Sequence, residues 1–121
     1  MKNEALNGTI NVIIAEDQAL IRGALTALLN LEADIEIVGE AENGVEAVKL
    51  LDKSNADILL TDIEMPLMSG LELAQITAKK HPNIKTVVIT TFGRAGYIKR
   101  ALTIGVKVYL KILRLMSWQQ L

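Results

Sequence analysis

The chain contains no cysteine. That excludes a disulfide scaffold, a thiolate metal centre and a cysteine nucleophile. Histidine occurs once, as His81 at an expected helix end with no partner cluster in the sequence, so it reads as a helix-end residue rather than a ligand. No apolar run approaches the length of about 18 residues that a membrane span needs. The opening Met1-Lys2-Asn3-Glu4 lacks the apolar stretch of a signal peptide. Net charge is small as well: 13 Lys+Arg against 14 Asp+Glu leave −1, which gives no electrostatic argument for nucleic acid or for a membrane surface. Acid is missing from one region altogether, since none follows Glu72 while nine Lys and Arg do. The expectation is a cytoplasmic, single-domain protein with no membrane partner.

What the chain does have is apolar residue in quantity: 50% of 121 residues, with a mean hydropathy of +0.31. A domain of this size buries roughly two-thirds of the surface exposed when unfolded, enough for one core. Ile10 to Ala15 is short, apolar and β-branched, as a buried strand should be. Ile21, Ala24, Leu25, Leu28 and Leu29 repeat at helical spacing. Ile35 to Gly39 alternates like a strand, and Gly44, Ala47, Val48 and Leu51 mark a second helix face. Asp57 to Thr61 is a third strand. A third helix over 70–80 is stopped by His81-Pro82. Thr86 to Thr90 is a fourth strand, Ile98, Ala101 and Leu102 form a fourth helix face closed by Gly105, and Val106 to Leu110 is a fifth strand. Strands alternating with helices predict an α/β fold: a doubly wound, five-stranded parallel sheet with right-handed crossovers. Residues 1–9 read as a flexible N-terminal extension.

In such a sheet, ligands bind outside the carboxyl ends of the strands. The first strand ends in Glu16-Asp17, the third in Thr61-Asp62 and the fourth in Thr90-Thr91; the fifth carries Tyr109 and is followed by Lys111. Three carboxylates at one mouth repel unless a cation sits among them. A hard divalent ion suits oxygen ligands, Mg²⁺ above all, and no histidine or cysteine is at hand for a softer metal. Each residue also has a plainer reading. Asp17 could cap the first helix, Asp62 could start a turn, Thr90 could be an ordinary strand residue and Lys111 a surface lysine. Met65, Met68 and Met116 suit packing. Four such residues at successive mouth positions are harder to explain singly.

The run Ile13-Ile14-Ala15-Glu16-Asp17 resembles the acidic strand end of bacterial response-regulator receiver domains. Leu60-Thr61-Asp62-Ile63-Glu64-Met65-Pro66 followed by Ser69-Gly70-Leu71-Glu72 resembles their phosphorylation segment. Val88-Ile89-Thr90-Thr91 and Gly105 to Tyr109 fit the fourth and fifth strands, and the details after the fourth strand look like the NarL/FixJ branch with LuxR-type DNA-binding domains. The resemblance covers 10–110. It implies the flavodoxin-like strand order 2-1-3-4-5 and a phosphoacceptor that is not a turnover enzyme. Asp62 would take a phosphoryl group from a sensor histidine kinase. Glu16, Asp17, Asp62 and the backbone carbonyl of Glu64 would hold Mg²⁺, with Mn²⁺ as a substitute. Thr90 and Tyr109 would form the switch, and Met65, Pro66 and Gly70 would shape the loop. DNA would be reached only through an output domain that this chain does not contain.

The pattern fails after the fifth strand. The family carries a lysine three residues past the aromatic, where this chain has Ile112; lysine stands one place early, at Lys111. A one-residue slip turns a strand side chain to the other face. Residues 111–121 therefore read as an aberrant tail with a truncated or altered fifth helix. One back-translation of 110–121, read from its third base, gives Lys-Asp-Ser-Pro-Ser-Asp-Glu-Leu-Ala-Ala-Val, so a shifted reading frame accounts for the tail and for the missing acids. The expected consequences are an apolar patch, lower stability and a homodimer. The alternative function is a pseudo-receiver, a phosphorylation-impaired interaction module. An aspartate-nucleophile phosphohydrolase fits poorly, because its acceptor follows the first strand. A flavin module fits poorly too, because Glu16-Asp17-Gln18 would repel a phosphate.

Overall fold

Among the described residues, five strands lie side by side in one parallel sheet, and three helices cover its two faces. The structure, a computed structural model, describes residues 9–89 and 107–108. The strands are β1 (Ile10–Ala15), β2 (Ile35–Ala41), β3 (Ile58–Asp62), β4 (Lys85–Ile89) and β5 (Lys107–Val108). The helices are α1 (Ala19–Asn30), α2 (Gly44–Lys53) and α3 (Gly70–Lys80). The strand order is β2-β1-β3-β4-β5, all pairs parallel, as the sequence predicts. The chain leaves β1 toward β2 and then returns past β1 to β3. This reversal opens a crevice at the carboxyl ends of β1 and β3.

Alternation along the central strands feeds two cores. Val12, Ile14, Leu60 and Val87 pack with Leu25 and Leu29 of α1. Ile13, Ala15 and Leu59 pack with Ala47 and Leu51 of α2 and Leu73 of α3 on the other face. Strands covered on both faces must be apolar throughout, which is why β1 and β3 read as unbroken hydrophobic runs. The edge strand β2 alternates instead, with Ile35 and Ala41 buried and Glu36 and Glu40 outside. Its register against β1 shifts once: Val12 faces Ile37 but Ile13 faces Gly39, so Val38 is an extra residue bulged out of the ladder.

Two of the helices start at side-chain caps. Asn43 accepts the Glu46 amide at 2.8 Å before α2. Ser69 and Glu72 form a reciprocal capping box at α3, with bonds of 3.0 and 3.1 Å. α3 ends at His81 because Pro82 follows. The bounds of β1 and α3 agree with the sequence reading. β3 begins and ends one residue later than expected, so Asp62 is its last residue, and β2 runs on to Ala41. The expected fourth helix, the N-terminal residues 1–8 and the tail 111–121 lie outside the described residues.

Candidate functional site, an acidic pocket at the reversal of the sheet

Glu16 and Asp17 leave the end of β1, and Asp62 closes β3 beside it. One carboxylate oxygen from each lies within 4.8 Å of the other two. Glu16 is buried, Asp62 is half-buried and Asp17 is exposed at the mouth. Asp17 does not cap α1: the residue in that position is Gln18, whose side chain makes no cap bond.

The turn that presents Glu16 is tied down from three sides. Its amide donates to the Ala41 carbonyl at the end of β2, 2.9 Å away. Its Oε2 accepts the Gln18 amide at 2.9 Å. Its carbonyl accepts Nη1 of Arg22 from α1 at 2.6 Å, and the same guanidinium lies 3.5 Å from the Glu40 carboxylate. Asp62 is fixed through Oδ1, which accepts the Ile63 amide at 2.8 Å. The hydroxyl of Thr61 donates to the Asp62 carbonyl at 2.9 Å.

Withdrawing carboxylates from water disfavours their charged form. Burial pushes Glu16 from 4.5 up to about 7, with Asp62 and Asp17 adding to the rise and the Gln18 amide opposing it. Asp62 is likewise raised, by burial first and then by Asp17 and Glu64, against the Ile63 amide. A divalent cation would remove the repulsion that a proton otherwise relieves. The donor set is all carboxylate oxygen, which fits Mg²⁺.

The loop from β3 to α3 returns to the acceptor strand at Gly70. Gly70 donates its amide to the Ile63 carbonyl at 2.7 Å. A Cβ on Gly70 would collide with the Asp62 carbonyl oxygen and lie 2.9 Å from its carbon, so only glycine lets α3 start this close to the site. Met65 packs on the α2–α3 core, with its sulfur 4.0 Å from the Thr61 hydroxyl. Pro66 and Glu64 are exposed. Leu67 has φ of 72° and is 80% exposed, while Met68 donates its amide back to the Pro66 carbonyl at 2.8 Å. That is a γ-turn of the rare positive-φ kind. A side chain in this region costs roughly 1–2 kcal/mol.

The structure thus brings together Glu16, Asp17, Asp62 and the loop bearing Glu64, Met65, Pro66 and Gly70. Thr90, Tyr109 and Lys111 lie outside the described residues. Sequence reasoning missed Arg22, which looks like any solvated helix arginine. The available clue was its position, one helical turn past an acidic strand end. It also missed the partner of His81. Nε2 of His81 and Nζ of Lys80 each lie 2.9 Å from the Asp52 carboxylate, joining the carboxyl ends of α2 and α3. Hydrogen bonds from Lys80 and then His81 lower the Asp52 pKa.

Residues 12–111 match the response regulator receiver domain, and the chain belongs to that family. Its relatives include transcriptional regulators, a LuxR-family protein among them, and protein-glutamate methylesterases. Over 101 residues it is 46% identical to the transcriptional regulatory protein DesR of Bacillus subtilis strain 168, covering 84% of this chain and 50% of DesR. A DNA-binding response regulator of the LuxR family from Staphylococcus aureus superposes with a TM-score of 0.80 at 38% identity, covering 92% of this chain and 97% of that one. The receiver domain of AraT, a response regulator from Geobacillus stearothermophilus, gives 0.77 at 32% identity, covering 91% and 89%. The chain spans about half the length of the curated relatives DesR and YvfU. Among the described residues, no helix is long and apolar enough to cross a membrane.

Proposed function

We propose that this chain is the phosphoacceptor module of a two-component transcriptional regulator, and that Asp62 receives a phosphoryl group from the phosphohistidine of a sensor kinase. The observation that carries this reading is the convergence of Glu16, Asp17 and Asp62 at the reversal of the sheet. Glu16, Asp17, Asp62 and the Glu64 carbonyl would hold Mg²⁺, which when bound neutralises phosphoryl oxygens and aligns the attack.

The protein's own part is positioning. A carboxylate oxygen of Asp62 attacks phosphorus, the bond from phosphorus to the imidazole nitrogen breaks with its electron pair going to that nitrogen, and the ring, protonated on its other nitrogen, leaves as neutral imidazole. Water later hydrolyses the acyl phosphate. The Ile63 amide and the Thr61 hydroxyl hold the Asp62 side chain and backbone while this happens. Thr90 would bind a phosphoryl oxygen and Tyr109 would follow it inward, while Lys111, one place out of register, would reach the phosphate poorly. The receiver would occupy 10–110, with 111–121 an aberrant tail. DNA binding would belong to an output domain of a longer cytoplasmic protein, and the apolar patch left by the altered tail would favour a homodimer of this chain. The chain would not be a turnover enzyme.

Incubation with acetyl phosphate and Mg²⁺, followed by mass spectrometry, tests this. The intact chain is expected to gain one phosphoryl group and Asp62→Asn none. Modification that persists in the variant would reject Asp62. A chain that stays unmodified, and does not bind beryllofluoride with Mg²⁺, would be a pseudo-receiver.

A further inference from the structure

Gly44 begins α2 and abuts Met68 of the β3–α3 loop. Its backbone does not require glycine, and alanine would favour a helix there. The requirement is space. A Cβ at Gly44 would lie 2.7 Å from Cβ of Met68, 2.8 Å from its sulfur and 2.9 Å from its Cγ. Met68 therefore occupies the volume that a side chain at Gly44 would take. The collision would involve the root of Met68 as well as its flexible end, so the methionine could not simply swing away.

Met68 is also the residue that closes the γ-turn at Leu67. A turn under strain persists only where its surroundings over-determine it. The exposed Leu67 side chain offers little such hold. On one side of the turn Met68 is seated on Gly44 and against the α2–α3 core; beyond it Ser69 is locked in the capping box. On the other side, Ile63 is bonded to Gly70 and Asp62 abuts the same glycine. The segment between these anchors contains Glu64.

We propose that Gly44 is a positioning residue for the acidic site: it seats Met68, the seat holds the strained turn at Leu67, and the held loop fixes the Glu64 carbonyl toward the metal. The inference rests on the metal-binding reading given above. It adds a residue that touches neither metal nor phosphate.

The test uses the whole chain with Gly44→Ala. Mg²⁺ affinity is expected to weaken about tenfold, the scale on which support of a metal ligand acts. In the metal-free protein, the amides of Met68 and Gly70 are expected to exchange faster with solvent deuterium. Met68→Ala empties the same seat without a collision and should move both readings in the same direction, so the test survives if Gly44→Ala does not fold. A lower melting temperature with unchanged Mg²⁺ affinity and unchanged Met68 exchange in both variants would overturn the inference, leaving Gly44 a packing residue. If the unaltered chain binds no Mg²⁺, the metal reading itself fails and the inference falls with it.

Discussion

At the scale of the residue, Glu16 is a carboxylate that the fold buries almost completely. Its folded-state pKa of about 7 lies above the ordinary 4.5. Between those values the folded chain keeps a proton that the unfolded chain has released. The metal-free protein is therefore most stable on this account below about 4.5 and loses that stability as pH rises through 7, on the order of 1–3 kcal/mol. A cation in the pocket should reverse the loss, since it favours the ionised form. Thermal melts at pH 5 and pH 8, with chelator and with Mg²⁺, check this. Glu16→Gln should flatten the pH dependence without metal and blunt the gain from Mg²⁺. An unchanged slope in that variant would place the titrating group elsewhere.

At the scale of the element, α3 carries the most information per residue. Its end was legible in His81-Pro82, because the geometry before proline acts locally; the capping box of Ser69 and Glu72 at its start is just as local a signal, which the sequence reading did not use. Ser69→Ala removes one half of the capping box and is expected to cost about 1 kcal/mol, a fall of roughly 3–6 °C in melting temperature. Because Gly70 follows directly and abuts Asp62, acetyl phosphate labelling should slow as well; labelling at the original rate would show that the helix start and the acceptor are independent. β2 was less legible. Its last two residues, Glu40 and Ala41, continue the outside–inside alternation, but glycine at 39 and alanine at 41 give a weak hydrophobic signal. The carboxylates were legible because strand ends can be located from apolar runs. Arg22, Met68 on Gly44 and Asp52 with His81 were not, because each depends on contacts between segments distant in sequence. The left-handed Leu67 had no signal either, since leucine does not advertise a positive φ.

At the scale of the whole molecule, the two cores are separated by a sheet whose central strands are sealed on both faces. Stability is then a property of the layers together. Residues 111–121 carry Leu113, Leu115, Met116, Trp118 and Leu121 without the caps or acids of an amphipathic helix. A version with a family-like end in place of 111–121 is expected to melt higher and to bind beryllofluoride more tightly. It should also stay monomeric at concentrations where this chain self-associates. Melting curves, sedimentation and beryllofluoride titration of both chains decide it. Equal behaviour would make the tail a working substitute.

The displaced Val38 in β2 has a consequence for how copies of the chain meet. A regular edge strand is a template on which further strands polymerise. Here an incoming strand would lose step where the ladder is interrupted, and a second β2 would bring Glu36 and Glu40 against their own likeness. Growth of a continuous intermolecular sheet from this margin is blocked both by spacing and by charge. Fibres that lengthen by adding strands along this edge are therefore disfavoured, whatever other surface two copies use.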